Sequence, residues 1–115
     1  MPDAESSQAP VPGQLVIEKT QEDEAIVLIL SGELDLASAP TLERELREAE
    51  AANPSRLVID LAGLAFMDST GLQALLRARE RANANGHKLS LRRAPHQVQR
   101  VFELTKTVDA FTFDD

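Results

Sequence analysis

Residues 56–72, RLVIDLAGLAFMDSTGL, decide the fold. They open with Leu57–Ile59, a continuous aliphatic run typical of a strand that is buried on both faces. A loop is predicted over Leu61–Met67, and leucines at helical spacing after Ser69 predict an amphipathic helix. A strand, a loop and a helix in this order predict one parallel unit of an α/β sheet.

The segments before this unit predict two strands and a helix. Leu15–Ile17 and Ala25–Leu30 are β-branched or aliphatic, and the polar Glu18–Glu24 between them predicts the connection of an antiparallel hairpin. Ser31–Asp35 predicts the turn that ends the second strand, and Ser38 predicts the N-cap of the first helix. The apolar face of that helix consists of Leu42, Leu46 and Ala49.

The rest of the chain continues the alternation of strands and helices. Gly86 predicts the end of the second helix, because glycine readily adopts the left-handed conformation at a helix C-terminus. Lys88–Leu91 predicts another strand, Pro95 opens a third helix, and Phe111–Phe113 predicts a last short strand. The order β-β-α-β-α-β-α-β predicts an α/β fold: a mixed sheet with an antiparallel opening hairpin, parallel central strands and three to four helices packed on it.

Length and composition exclude several classes of protein. The chain has 115 residues, a length that predicts one domain, over 14–115. Residues 1–13 (MPDAESSQAPVPG) contain three prolines, one glycine and little that could pack, which predicts a flexible leader. It contains no cysteine, which excludes disulfides and thiolate chemistry. No apolar run approaches the roughly 20 residues of a membrane span, and no signal peptide precedes the domain, so we expect a cytoplasmic protein without membrane contact. A net charge of −7 with 3% aromatic residues argues against nucleic-acid binding.

The charge is unevenly distributed along the chain. Residues 1–60 carry a net charge of −9, whereas residues 61–115 carry +2. We expect the basic side chains to form solvated faces, and the asymmetry would help to orient a protein partner. The basic residues of the second half are Arg77, Arg79, Arg81, Lys88, Arg92, Arg93, Arg100 and Lys106.

The candidate site is the polar run that begins at Asp68, between a buried strand and a helix. Such junctions are where α/β folds place functional loops. Ser69 and Thr70 are predicted at the N-cap or in the first turn, near unpaired backbone N–H groups and the positive end of the helix dipole. Gly71 would allow another surface to approach closely. The alternative is that these residues are ordinary helix caps.

Enzymatic interpretations have little support in the sequence. Around Ser69, Met67 replaces the first glycine of the G-x-S-x-G nucleophile elbow. The two histidines, His87 and His96, are expected at the surface, and neither has a second ligand at metal-binding spacing. The carboxylates of Asp35, Asp60 and Asp68 could in principle hold Mg²⁺, but no phosphate-binding glycine-rich loop accompanies them. The sequence therefore predicts no catalytic residue, no metal and no cofactor.

Three segments in order resemble a known family. Ser31–Asp35 (SGELD), Leu57–Leu61 (LVIDL) and Phe66–Leu72 (FMDSTGL) resemble the STAS domain, most closely its anti-sigma factor antagonist branch. The resemblance covers residues 14–113 and implies a mixed sheet with helices packed on it.

The resemblance implies a regulatory switch. Ser69 would be phosphorylated by an anti-sigma factor, a serine kinase of the GHKL type, with Thr70 as the neighbouring hydroxyl. The unphosphorylated form would bind that kinase and release the sigma factor, and a PP2C-type phosphatase would reverse the modification. The alternative within the family is an unphosphorylated STAS adaptor subunit of a lipid-transport complex or a sensory scaffold.

The resemblance also implies a partner surface around this serine. For Asp35 the alternative is a purely structural role in its turn or as a cap with Ser38. Phe66 and Met67 are either core residues or an exposed anchor for the partner. The predicted partner-binding residues are Asp35, Phe66, Met67, Asp68, Ser69, Thr70, Gly71 and Leu72.

Overall fold

A computed structural model describes residues 14–114, so the predicted leader lies outside the described residues. Five strands, three α-helices and one short 3₁₀ helix follow one another along this part of the chain. In order they are β1 (Leu15–Glu22), β2 (Ala25–Leu34), α1 (Ala39–Ala51), β3 (Arg56–Met67), α2 (Ser69–Asn85), β4 (Lys88–Arg92), α3 (His96–Leu104), the 3₁₀ helix (Val108–Ala110) and β5 (Thr112–Asp114).

The strands form one mixed sheet in the order β1-β2-β3-β4-β5. β1 and β2 pair antiparallel, and every other neighbouring pair is parallel, which confirms the predicted fold class. β2 and β3 run side by side from the pair Ala25 and Arg56 to the pair Leu34 and Met67. The carboxyl ends of these two strands therefore meet at one edge of the sheet.

The helices cover one face of the sheet. The main core combines strand residues with residues of all three helices, among them Leu42, Leu75 and Phe102. A second, smaller buried cluster consists of Ala25, Val27 and Val58 and contains strand residues alone. Leu57, Val58 and Ile59 are fully buried: Leu57 and Ile59 belong to the main core, and Val58 belongs to the smaller cluster. Within residues 14–114, none of the helices combines the length and apolar character that crossing a bilayer demands.

Three strands extend further than predicted. β1 continues to Glu22, so the predicted connection over Glu18–Glu24 was mostly wrong; its polar side chains are exposed. β2 reaches Leu34, so the turn predicted over Ser31–Asp35 begins later.

The predicted loop over Leu61–Met67 was also wrong, because β3 runs through it to Met67. Irregular register between β2 and β3 disrupts the alternation by which such a strand is recognised. Gly63 permits close approach there, since a Cβ on it would lie 2.7 Å from the Ser31 Cβ.

The helix termini agree with their predicted positions. Ser38 is the N-cap residue of α1, but its side chain does not cap the helix. The Ser38 hydroxyl instead donates to the Glu33 carbonyl at 2.8 Å and accepts from the Asp35 N–H at 2.9 Å. Gly86 ends α2 with a left-handed φ of 78°, as predicted.

Candidate functional site

The candidate site lies at the carboxyl ends of β2 and β3. Leu34 pairs with Met67, and the Asp68 N–H donates to the Leu34 carbonyl at 3.1 Å. Because these strands are neighbours, the turn that begins at Asp35 lies beside the start of α2, as expected from the sequence.

Asp68 fixes the N-terminus of α2. Its backbone is extended, and its carboxylate accepts a hydrogen bond from the Gly71 N–H at 3.0 Å. The Leu72 N–H donates to the Asp68 carbonyl at 3.1 Å. Asp68 is thus the N-cap, which places Ser69 and Thr70 in the first turn, where backbone N–H groups have no intrahelical partner.

Ser69 is the most accessible hydroxyl of this turn. Its side chain is exposed, whereas Thr70 is half-buried. Neither hydroxyl has a hydrogen-bond partner among residues 14–114. The Ser69 oxygen is therefore open to chemistry from outside the molecule, at the positive end of a 17-residue helix.

Asp35 closes the turn between β2 and α1. Its Oδ1 accepts from the Ala37 N–H at 3.0 Å and from the Ser38 N–H at 3.1 Å. The structural role considered for Asp35 is therefore present. Asp35 also remains half-exposed, so the same residue contributes a carboxylate to the surface.

The two apolar residues before Asp68 have separate environments. Phe66 is 47% exposed, whereas Met67 is 3% exposed and belongs to the main core. A second exposed apolar residue, Leu36, lies in the neighbouring turn and is 73% exposed. Leu36 was not predicted as a site residue. It could have been noticed as an aliphatic residue in a turn, between Asp35 and Ala37, where it belongs to no apolar pattern of a helix or strand.

Gly71 and Leu72 are buried. A Cβ on Gly71 would lie 2.5 Å from the Leu34 Cγ and 3.1 Å from the Leu34 carbonyl oxygen. The close approach expected at Gly71 therefore occurs within the chain rather than towards a partner. The accessible part of the predicted site, together with Leu36, is called the switch surface here: Asp35, Leu36, Phe66, Asp68, Ser69 and Thr70.

Comparison with known proteins identifies the family. The family model described as "Mlab, STAS domain" matches residues 17–108. The chain belongs to the STAS domain family.

Relatives of this STAS domain carry regulatory names. The anti-sigma-F factor antagonist RsfB of Mycobacterium tuberculosis is 36% identical over 70 residues, 61% of this chain. That match covers 57% of RsfB, a little over half of its length. The anti-sigma-B factor antagonist of Staphylococcus aureus is 30% identical over 95 residues, 83% of this chain and 88% of that protein.

Solved structures share the fold. An anti-sigma factor antagonist from Mycobacterium paratuberculosis superposes with a TM-score of 0.79 at 28% identity, over 91% of this chain and 89% of that one. The Bacillus cell fate determinant SpoIIAA, solved in its phosphorylated form, gives a TM-score of 0.67 at 19% identity, over 87% of this chain and 92% of that one. At that identity SpoIIAA shows likeness of fold alone.

The other residues weighed for chemistry lie apart from the switch surface of this STAS domain. His87 follows the far end of α2, about 25 Å along the helix from Ser69. His96 is exposed at the start of α3, as expected. Asp60 lies within β3, where Arg92 Nε approaches its Oδ2 at 3.4 Å. In the described part of the chain, no three His, Asp or Glu residues are grouped so as to hold a metal.

Three arginines expected on solvated faces instead form hydrogen-bonded ion pairs: Arg77, Arg81 and Arg92. Arg81 on α2 donates to both carboxylate oxygens of Glu50 on α1, at 2.8 and 2.9 Å. This hydrogen bond raises the pKa of Arg81 further above its already high ordinary value, despite partial burial. Arg77 adds a 2.8 Å bond to Glu43. α2 is thus held against α1, which fixes the helix whose first turn carries Ser69. The third arginine is Arg92, which pairs with Glu22 at 3.1 Å.

Proposed function

We propose that this protein is an anti-sigma factor antagonist that is switched by phosphorylation of Ser69. Unphosphorylated, it binds an anti-sigma factor, a serine kinase of the GHKL type, so that the sigma factor is released. The observation that carries the proposal is the exposed Ser69 hydroxyl, without a hydrogen-bond partner in residues 14–114, in the first turn of α2. The regulatory names of the relatives support it.

Exposed apolar side chains beside the serine support a protein partner. Leu36 and Phe66 are among the few large apolar residues exposed in the described chain, and both belong to the switch surface. Aromatic side chains that enter a pocket of the partner commonly dominate binding energy. The carboxylates of Asp35 and Asp68 would complement a basic rim on the kinase.

Phosphorylation would end binding through charge and size. A phosphate adds a charge of about −1.5 to −2 at neutral pH. Within the monomer the helix N-terminus tolerates it, because free N–H groups and the dipole favour an anion. At the interface the phosphate would stand beside Asp68 and Asp35 and would have to lose its hydration against the partner. The complex is then lost without refolding of the STAS domain.

The proposal makes the protein a binding partner and substrate rather than an enzyme. A PP2C-type phosphatase would remove the phosphate and restore binding, and the cycle would take place in the cytoplasm. If the protein were instead an unmodified STAS adaptor subunit, Ser69 would need neither exposure nor a free hydroxyl. The names of the relatives favour the antagonist.

The direct test is titration calorimetry against GHKL-type serine kinases from the same genome. Ser69→Ala should bind like the wild type, because the small exposed side chain is removed without adding charge. Ser69→Glu should lose about 3 kcal/mol, roughly 100-fold in Kd, because the new carboxylate is desolvated without a partner. Thr20→Glu, which adds the same charge at an exposed hydroxyl on β1 outside the switch surface, is the matched control and should bind normally. Equal affinity of Ser69→Glu and the wild type would contradict the proposed switch.

A further inference from the structure

A groove lies at the opposite end of the sheet from Ser69. It has a volume of about 520 Å³ and opens where β3 and β4 begin and α2 ends. This volume falls within the roughly 300–1,000 Å³ of small-molecule sites. Its charged and hydrogen-bonding lining includes Arg56, Asn83, His87, Lys88, Thr112 and Asp114.

Several polar side chains in this groove lack protein partners. The Asn83 amide, the Lys88 ammonium and the Thr112 hydroxyl make no hydrogen bond or ion pair with any of residues 14–114. Between them they offer donors of three kinds to one cavity. All three side chains are exposed, so a ligand in the groove would replace water as their hydrogen-bond partner.

His87 supplies an independent indication of a ligand. Its Nε2 is buried and has no hydrogen-bond partner in the described structure, although the residue as a whole is half-exposed and lines the groove. The surface position expected for His87 is thus only partly correct. Buried polar atoms of native proteins are nearly always paired. Because solvent does not reach Nε2 in this conformation, the half-exposed imidazole would turn towards the groove for a ligand oxygen, or a water held by the ligand, to supply the missing partner.

The charge of the groove favours an anion. Arg56 and Lys88 contribute two positive charges, in a chain whose net charge is −7. The lining also holds one carboxylate, Asp114, which pairs with Arg56 at 3.4 Å and accepts from the Ser90 hydroxyl at 2.9 Å. Two positive charges and one negative charge leave the lining with +1, and Lys88 is the cation that makes no ion pair within residues 14–114. A neighbouring groove shares both cations but adds the carboxylates of Glu22, Asp23 and Glu24, which would repel an anion. Of the two grooves that share Arg56 and Lys88, the one that also contains His87 therefore favours an anion.

We propose that this groove binds a small phosphate-bearing ligand. The Arg56 guanidinium and the Lys88 ammonium would neutralise the phosphate, since a guanidinium fork matches its oxygens and an ammonium acts as a point charge. Asn83, Thr112 and His87 would complete the hydrogen bonds. Leu89, which also lines the groove, provides apolar contact for the remainder of the ligand.

The site is separate from the proposed switch, although one helix reaches both. Ser69 lies in the first turn of α2 and Asn83 close to its last residue, Asn85. A partner on the switch surface would leave the groove open. The groove can therefore be tested without any assumption about phosphorylation of Ser69.

The test is a titration of the ¹⁵N-labelled full chain with sodium phosphate, with ionic strength held constant by sodium chloride. Saturable shifts of backbone amide signals are expected for Asn83, His87, Lys88 and Thr112, with none at Ser69. Lys88→Gln should weaken phosphate binding about tenfold, because it removes one charge-assisted hydrogen bond. Lys19→Gln, an exposed lysine on β1, is the matched control and should titrate like the wild type.

A second variant guards against a local effect at Lys88. Asn83 is exposed on α2, so Asn83→Ala should fold normally, because alanine favours a helix, and should also weaken binding. Shifts that increase linearly with phosphate and spread over all basic residues would overturn the proposal. Unchanged binding by both Lys88→Gln and Asn83→Ala would overturn it as well.

Discussion

The two ends of the sheet differ in chemistry although they share the same strands and the same helix α2. The carboxyl end presents acidic side chains beside exposed Leu36 and Phe66, and the Gly71 N–H in the first turn of α2 is already capped by Asp68. The amino end presents Arg56 and Lys88 beside donors that have no partner within residues 14–114. An exposed apolar surface favours a protein partner, whereas a polar cationic groove favours a small anion.

The largest expected effect is on stability, and it differs between the glycines at the two ends of α2, Gly71 in its first turn and Gly86 just after its last residue. Gly71→Ala should lower the free energy of unfolding by about 3 kcal/mol, because its Cβ would meet Leu34 at 2.5 Å and the Leu34 backbone at 3.1 Å. Gly86→Ala meets no atom within 4 Å and should cost only about 1 kcal/mol, for its left-handed φ of 78°. Urea denaturation of both variants measures the difference. Equal losses would show that Gly71 is not closely packed.

The next effect separates binding from stability at the carboxyl end. Phe66→Ala should weaken binding to the anti-sigma factor by about 2 kcal/mol, roughly 30-fold in Kd, because an exposed aromatic anchor is removed. Its unfolding midpoint should stay close to that of the wild type. Leu104→Ala, 73% exposed at the end of α3, is the control and should change neither quantity. A wild-type Kd for Phe66→Ala would remove this residue from the switch surface.

Local chemistry explains what the sequence could predict. The buried run Leu57–Ile59, the left-handed Gly86 and the first-turn position of Ser69 each depend on a few neighbouring residues, and all three are confirmed. Asp68, the first residue of the polar run, is itself the N-cap.

Tertiary contacts explain what the sequence could not predict. The extension of β3 through Leu61–Met67 was hidden because irregular register interrupts the period of two. The burial of Gly71 against Leu34 depends on residues far apart in the chain. The same holds for the unpaired Nε2 of His87, which no local pattern reveals.

The smallest expected effect lies in the ion pair that joins Glu22, the last residue of β1, to Arg92, the last residue of β4. The hydrogen bond and charge of Arg92, 3.1 Å away, lower the pKa of Glu22 below its ordinary 4.5. The unfolded chain therefore binds more protons at this group, so its contribution to stability is present above about pH 4.5 and is lost as pH falls through the lowered pKa. Glu22→Gln should flatten the acid limb of a stability profile measured by urea denaturation.

The control for that profile is Glu48→Gln on the exposed side of α1. Glu48 makes no ion pair with the rest of residues 14–114, so its replacement should leave the acid limb unchanged. If Glu22→Gln keeps the wild-type slope, the Arg92 pair does not contribute to the pH dependence.

The central claim is that a phosphate on Ser69 ends binding to the anti-sigma factor. It is most directly tested by locating the phosphate and following the complex in the same sample. The protein is incubated with its GHKL-type kinase and Mg·ATP, the modified residue is located by mass spectrometry, and the complex is followed by size-exclusion chromatography. A single phosphate on Ser69, absent from Ser69→Ala and retained in Thr70→Ala, should accompany loss of the complex. Phosphate only on other residues, or a phosphorylated Ser69 protein that stays bound to the kinase, would contradict the account.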